Sequence, residues 1–236
     1  CDSLVWNGTT YDSSGVYTYT GNNTSINFNS SASNYAPYLE VNSNNINSIF
    51  SGYHPFTVSL WIYGTPEALD SYGRHIIGKG YTSGGNPSTF MLFKEINNIF
   101  SFILYSGVNN FIKLEVLDLI DASSWTNIAL SYDGGGTTNS LKVYKNGILQ
   151  AVGGGTEIRG SFTGMSINNE PLIIGARVMG GTLNTHLAWN GEMEDISVWD
   201  YTLNQSDITY NYQNCIDVNS NGLVSYWDLN EGIGSS

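Results

Sequence analysis

Two clusters of oxygen-bearing side chains near the C-terminus could do chemistry. In "DVNSNGLVSYWD", Asp217, Asn219 and Asn221 supply oxygens at positions 1, 3 and 5, Gly222 stands at position 6 and Asp228 at position 12. That is the spacing of a calcium loop, in which alternate oxygens surround a hard cation and a glycine permits the sharp turn. Such a loop needs a flanking helix, and "LNEGIGSS" carries two glycines in quick succession, whereas Leu223, Val224, Tyr226 and Trp227 suit a strand. The segment reads first as a turn into an edge strand, with calcium on Asp217, Asn219, Asn221 and Asp228 as a further expectation. The second cluster, "GEMED", holds Glu192, Glu194 and Asp195. Paired acids can hydrolyse a glycosidic bond when both flank it at short separation. In "KLEVLD", Glu115 and Asp118 are three apart and fall on opposite faces of a strand. His54, His75 and His186 are scattered and read as surface or loop residues, and no nucleophile elbow is present. The expectation is a protein that is not an enzyme.

Binding chemistry is sought in loops, where a rigid scaffold presents aromatic faces and planar amides. "RHIIGKGYTSGGNPS" and "ARVMGGTLNTHLAWNG" are the two longest glycine-rich loops, and both mix aromatic, amide and basic groups. They nominate Arg74, Tyr81, Asn86, Arg177 and Trp189 as sugar-binding candidates, joined by Tyr72, a loop aromatic just before the first of them.

The elements that must carry these loops are strands. Runs such as "FTVSLWIY", "TFMLFKE", "IFSFILYS", "WTNIALSYD", "SLKVYKNG" and "GEMEDISVWD" alternate apolar and polar residues between Gly, Asn and Asp punctuation. Asn97-Asn98 and Asn146-Gly147 predict tight hairpin turns. One helix is predicted, in "TLNQSDITYNYQN", capped by Thr202 or Asn204. More than a dozen strands with almost no helix predict an all-β, two-sheet antiparallel sandwich of jelly-roll type. Trp61, Trp125 and Trp199 lie in alternating strands and are expected to be buried against the facing sheet. Residues 1–24 read as an appended strand pair and 25–236 as the sandwich.

The chain has 20 acidic against 8 basic side chains, a net charge of −12. That excess opposes nucleic acid or an anionic membrane surface as partner, because Lys and Arg are what neutralise phosphate. No run approaches the roughly 18 apolar residues of a membrane span. Cys1 and Cys215 are expected to form a disulfide if the chain is extracellular, the alternative being two unrelated thiols. Sequons at Asn7, Asn22, Asn23, Asn29 and Asn204 arise readily in a chain this rich in Asn, Ser and Thr.

In order along the chain, "SINFNSSASNYAPYLEV", "FTVSLWIY", "HIIGKG", "WTNIALSYDGGGTTNSLKVYKNGILQ", "PLIIGAR" and "GEMEDISVWDYTLNQSDI" resemble a laminin-G-like, concanavalin A-like jelly roll of secreted bacterial multidomain proteins. The resemblance covers residues 25–212, and "CDSLVWNGTTYDSSGVYTY" is similar to repeats of secreted Bacteroidetes adhesins. It implies a secreted or cell-surface recognition module that binds glycans or mediates adhesion. The partners would be polysaccharide, glycoprotein glycans or neighbouring modules of a larger protein. It also implies a structural calcium with Asp195 as a ligand, beside carbonyls near residues 29–34. Glucanases of this fold carry Glu-x-Asp-x-x-Glu on one strand, which "GEMED" does not meet. The alternative is a spacer or subunit of a large adhesin, with residues 221–236 opening a following module.

Overall fold

The structure, a computed structural model, describes residues 4–6, 9–11, 25–28, 38–65, 73–80, 89–179, 182–184 and 187–229. Its strands are β1 Leu4–Trp6, β2 Thr9–Tyr11, β3 Ile26–Asn27, β4 Leu39–Val41, β5 Phe56–Gly64, β6 Arg74–Lys79, β7 Phe90–Lys94, β8 Ile99–Gly107 and β9 Asn110–Leu117. There follow β10 Trp125–Tyr132, β11 Leu141–Lys145, β12 Ile148–Leu149, β13 Gly155–Arg159, β14 Leu172–Ile174, β15 Arg177–Met179, β16 Thr182–Asn184, β17 Gly191–Trp199 and β18 Leu223–Trp227. The helices are α1 Asn44–Ile49 and α2 Gln205–Gln213. None is long and apolar enough to cross a membrane.

Two antiparallel sheets make the sandwich. The first runs β12-β11-β10-β5-β17-β18, and the second β13-β9-β8-β7-β6-β14-β4. Short β3 also pairs with β17, at Glu192 and Met193, while β18 pairs further along at Ile196 to Trp199. One edge of β17 is thus handed from β3 to β18. Strands β1 and β2 form a two-stranded sheet of their own.

Strand parity decides which side chains enter the core, since successive residues point to opposite faces. On β5, Phe56, Val58, Leu60 and Ile62 are buried in the main cluster, as are Ile128, Leu130 and Tyr132 of β10. Phe90, Leu92, Phe100, Phe102, Ile112 and Leu114 meet them from the second sheet. Burial of each such side chain contributes about 1.5–3 kcal/mol.

The predicted turns form as their chemistry requires. Asn97 and Asn98 have φ of 58° and 56°, and Asn146 and Gly147 have φ of 50° and 77°. Helix α2 starts where expected: the Asn204 side-chain oxygen accepts hydrogen bonds from the Ser206 and Asp207 amides at 2.8 and 3.0 Å. Helix α1 was not anticipated. It is six residues long and rich in Asn, and its helical signal is only Ile46 and Ile49, three apart and both buried. Strand β18 adds to the edge of the first sheet, as the run from Leu223 to Trp227 suggests.

Candidate functional site: an aromatic and acidic groove on the first sheet

The outer face of the first sheet is built from cross-strand rows. In one row Glu192 of β17 pairs with Tyr63 of β5, which pairs with Trp125 of β10. In the next, Glu194 pairs with Trp61, which pairs with Asn127. Further along, Ser197, Ser59 and Ala129 form a row of small side chains. Helix α2 lies over that small-residue region, where Leu203 and Ile208 pack with Ala129, Tyr144 and Trp199. The helix therefore covers the small rows and leaves the aromatic rows open beside it.

Between the end of α2 and those rows lies a cavity of about 620 Å³, lined by Trp61, Trp125, Glu194, Asp195, Tyr212, Gln213, Asn214 and Cys215. Trp61 is stacked against Tyr212 with ring centroids 5.6 Å apart and planes at 31°, and Tyr63 supports Trp125 at 5.8 Å. Trp61 and Trp125 are diagonal neighbours across β5 and β10, a relation that places the two residues about 7–8 Å apart, with their Cβ atoms somewhat nearer. Gly147 seats the helix that supplies Tyr212. The Gly147 carbonyl accepts from Gln205 Nε2 at 2.6 Å and Thr209 Oγ1 at 3.2 Å, and a Cβ there would stand 3.1 Å from Tyr212 Cδ1.

A β-bulge brings two consecutive acids to the cavity. Pairing of β17 with β5 shifts register between Glu194 and Ser197, and Asp195 takes φ of 50°. Asp195 accepts a hydrogen bond from the Tyr226 hydroxyl of β18. Burial pushes the Asp195 carboxyl up, the Tyr226 hydrogen bond opposes this, and the Asp228 charge adds to the rise. Glu194 is pushed up to about 7, first by burial and then by the charges of Asp195 and Glu192. Glu192 accepts from the Ser25 hydroxyl. Among the described residues, no Lys or Arg pairs with any of these three acids.

The sequence-nominated sugar residues do not gather here. Tyr72, Tyr81 and Asn86 lie outside the described residues. Arg74 is buried with Nη1 donating to the Ala188 carbonyl at 3.2 Å. Arg177 opens β15, and its charge acts on Tyr105 and His75. His75 pairs across strands with Phe93, on the outer face of the second sheet. Trp189 is a correction: it is fully buried in the main core, with Nε1 donating to the Tyr63 carbonyl at 3.2 Å. Gly64 and Gly191 leave it the room, and it has no face to offer a ligand. His75 is also corrected from a surface residue. It is buried against Phe93, neither ring nitrogen has a hydrogen-bond partner among the described residues, and burial beside the Arg177 charge pushes its pKa down to about 3.

Trp61 and Trp125 are corrected too. They do not face the opposite sheet: their parity sets them on the outer face with Ser59 and Asn127, and Trp199 shares that face beneath α2. Parity was the signal available in sequence, because Trp61 is in phase with Thr57 and Ser59 while the core positions are Phe56, Val58 and Leu60.

The calcium ligands do not converge. Asp217 accepts from the Asn219 amide at 2.9 Å and closes a turn before β18, whereas Asp228 follows that strand. Five residues at about 3.3 Å each separate the two ends by roughly 17 Å. Asp228 instead stands near Asp195, whose amide donates to the Asp228 carbonyl at 3.4 Å. Among the described residues no three His, Cys, Asp or Glu side chains form a metal-holding group. The carbonyls expected from residues 29–34 lie outside the described residues, as does Cys1, while Cys215 is an exposed free thiol at the groove.

Comparison with known proteins agrees with this architecture. No curated protein matches the sequence. Among solved structures, the chain is similar to a heptameric SAP-like pentraxin from Limulus polyphemus, at 17% identity and a TM-score of 0.57, over 88% of this chain and 90% of that one. It is similar to a candidate carbohydrate-binding protein from Bacteroides ovatus, at 16% identity and a TM-score of 0.55, covering 84% of this chain and 51% of that one. It is also similar to the CBM40 module of Ruminococcus gnavus IT-sialidase bound to α2,3 sialyllactose, at 16% identity and a TM-score of 0.55, over 73% and 90% of the two chains. At such identities these likenesses establish the fold. A family model described as the concanavalin A-like lectin/glucanases superfamily matches residues 20–209. With that match over most of its length and a two-sheet jelly roll beneath it, the chain belongs to the concanavalin A-like lectin/glucanase superfamily.

Proposed function

We propose that the chain is a non-catalytic carbohydrate-recognition module of a secreted or cell-surface protein, and that the groove beside α2 holds the sugar. The observation that carries this reading is the pair of outward-facing indoles, Trp61 and Trp125, beside hydrogen-bonding carboxylates in one open cavity. Indole faces suit the apolar C–H faces of pyranose rings, and the acids and Asn214 suit their hydroxyls. Hydrolysis would require two carboxyl groups free to act across one bond. Here the three acids stand together on one strand, β17, with Asp195 accepting from Tyr226 and Glu192 from Ser25. Glycan-array screening followed by calorimetry on the binders tests the reading. Binding should be lost in the Trp61→Ala, Trp125→Ala double variant, should persist in chelator, and should be accompanied by no new reducing ends. Retained binding in the double variant, or turnover of the bound glycan, refutes it.

A second reading, a spacer or subunit with no ligand of its own, is favoured by one observation. Edge strands β12 and β13 leave Ile148, Leu149 and Ile158 exposed, at 67%, 49% and 58%. Exposed apolar edges can template association between chains. Concentration-dependent assembly by sedimentation, abolished by Ile148→Lys, together with an empty glycan array, would select it.

A further inference from the structure

We infer that this groove selects glycans bearing protonated amines, that is, hexosamine units without their N-acetyl groups. The inference rests on the reading of the groove as a sugar site and adds the charge class of its ligand.

Three features combine. Two carboxylates, Glu194 and Asp195, line the cavity, while Glu192 and Asp228 contribute negative charge from just outside it. Among the described residues no cation offsets them. Lys113 and Arg159 pair with Glu115 and Glu157, and Lys145 pairs with Asp121. Carboxylates withdrawn from water among like charges gain most from a ligand that brings the missing positive charge. The aromatic lining points the same way. The faces of Trp61, Trp125 and Tyr212 carry negative quadrupole charge and attract an ammonium within about 6 Å of a ring. A neutral sugar would use the indoles and leave the acids without a counter-charge. A sugar carboxylate or sulfate would add a like charge beside Glu194. The net charge of −12 extends the same bias beyond the groove, screened past about 8 Å at physiological salt.

The test compares a glucosamine tetramer, an N-acetylglucosamine tetramer and a glucuronate-containing tetramer, by calorimetry and tryptophan fluorescence on the whole chain, at neutral pH, below which Glu194 takes up a proton and above which the amine loses its own. The glucosamine tetramer should bind about tenfold more tightly than the N-acetylated one, the sum of one partly exposed ion pair and one cation–π contact. The glucuronate form should bind most weakly, and added salt should narrow the differences. Glu194→Gln and Asp195→Asn should each bring the glucosamine to N-acetylglucosamine ratio toward one. Because Asp195 sits at a strained bulge, near-UV circular dichroism of each variant confirms folding, and Glu194→Gln alone suffices. Equal binding of the two tetramers, or a ratio unchanged in folded Glu194→Gln, overturns the amine preference and leaves the sugar groove standing. Binding of all probes that survives the Trp61→Ala, Trp125→Ala double change, or no binding of any, overturns the groove itself.

Discussion

Replacing Trp61 with Ala isolates the stacking contribution from the rest of the groove. Trp61 stands on the outer face of β5, braced by Tyr212 at 5.6 Å and flanked across strands by Glu194 and Asn127. A pyranose ring laid on its exposed face covers roughly a third of an indole's roughly 150–250 Å², about 60 Å². At ~25 cal/mol per Å² that burial contributes about 1.5 kcal/mol, so Kd should rise about tenfold. The variant also removes the Trp61–Tyr212 ring contact, which costs about 0.5–1.5 kcal/mol of stability. For a domain of this size that lowers Tm by about 1–6 °C, leaving the protein folded at the temperature of the titration. Trp61→Phe should recover part of the affinity. Calorimetric titration of wild type, Trp61→Ala and Trp61→Phe with one array-selected oligosaccharide measures the series. The effects of Trp61→Ala and Trp125→Ala should not add, because diagonal neighbours can touch one sugar ring. A Kd within twofold of wild type in a folded Trp61→Ala protein would refute the reasoning.

Gly147→Ala should weaken sugar binding from outside the groove. Its φ of 77° and the 3.1 Å approach of Tyr212 both resist a Cβ, so a loss of about 1–2 kcal/mol by denaturant melt and a several-fold rise in Kd are expected. Glu194 predicts a pH slope. Its folded pKa, raised to about 7 by burial and by Asp195 and Glu192, exceeds its unfolded value. The folded state therefore binds a proton that the unfolded state releases, and stability falls as pH rises from the ordinary carboxylate range through about 7. Asp195, raised by burial and by the Asp228 charge against the Tyr226 hydrogen bond, adds a slope of the same sign. Glu194→Gln should flatten that part of the curve in thermal melts across pH and raise Tm on its alkaline side. Trp189→Ala should behave oppositely to Trp61→Ala, losing about 3–5 kcal/mol of stability because Trp189 is fully buried, with any binding loss following from unfolding.

The order of strands, the tight turns and the Asn204 cap were legible because each rests on local chemistry: alternation, positive φ at Asn and Gly, and a side-chain oxygen before a helical run. The groove was legible only in part. Parity within "FTVSLWIY" and "WTNIAL" sets Trp61 and Trp125 apart from the core positions, yet apolar character alone suggested burial. What parity cannot give is where α2 lies. The helix covers Ala129 and Trp199 and ends at Gln213, just past Tyr212, and that placement decides which outward aromatics stay open. The bulge at Asp195 was equally hidden, because a non-glycine residue at positive φ carries no sequence mark in "GEMED". Trp189 misled for the converse reason: it lies in a stretch rich in loop-forming residues, but Gly64 and Gly191 on neighbouring strands open a core site for it. The spacing from Asp217 to Asp228 imitated a calcium loop because strand β18 sits where the loop would have to close.

The indole N–H resonances of the tryptophans provide the most direct test of the groove. In a titration with the tightest array-selected oligosaccharide, the Trp61 and Trp125 signals should shift and saturate with the calorimetric Kd. Those of Trp189 and Trp199, whose Nε1 atoms donate to Tyr63 O and Ser197 Oγ inside the fold, should hold still. Saturation of the binding isotherm with the Trp61 and Trp125 signals unmoved would place the ligand elsewhere and contradict the account.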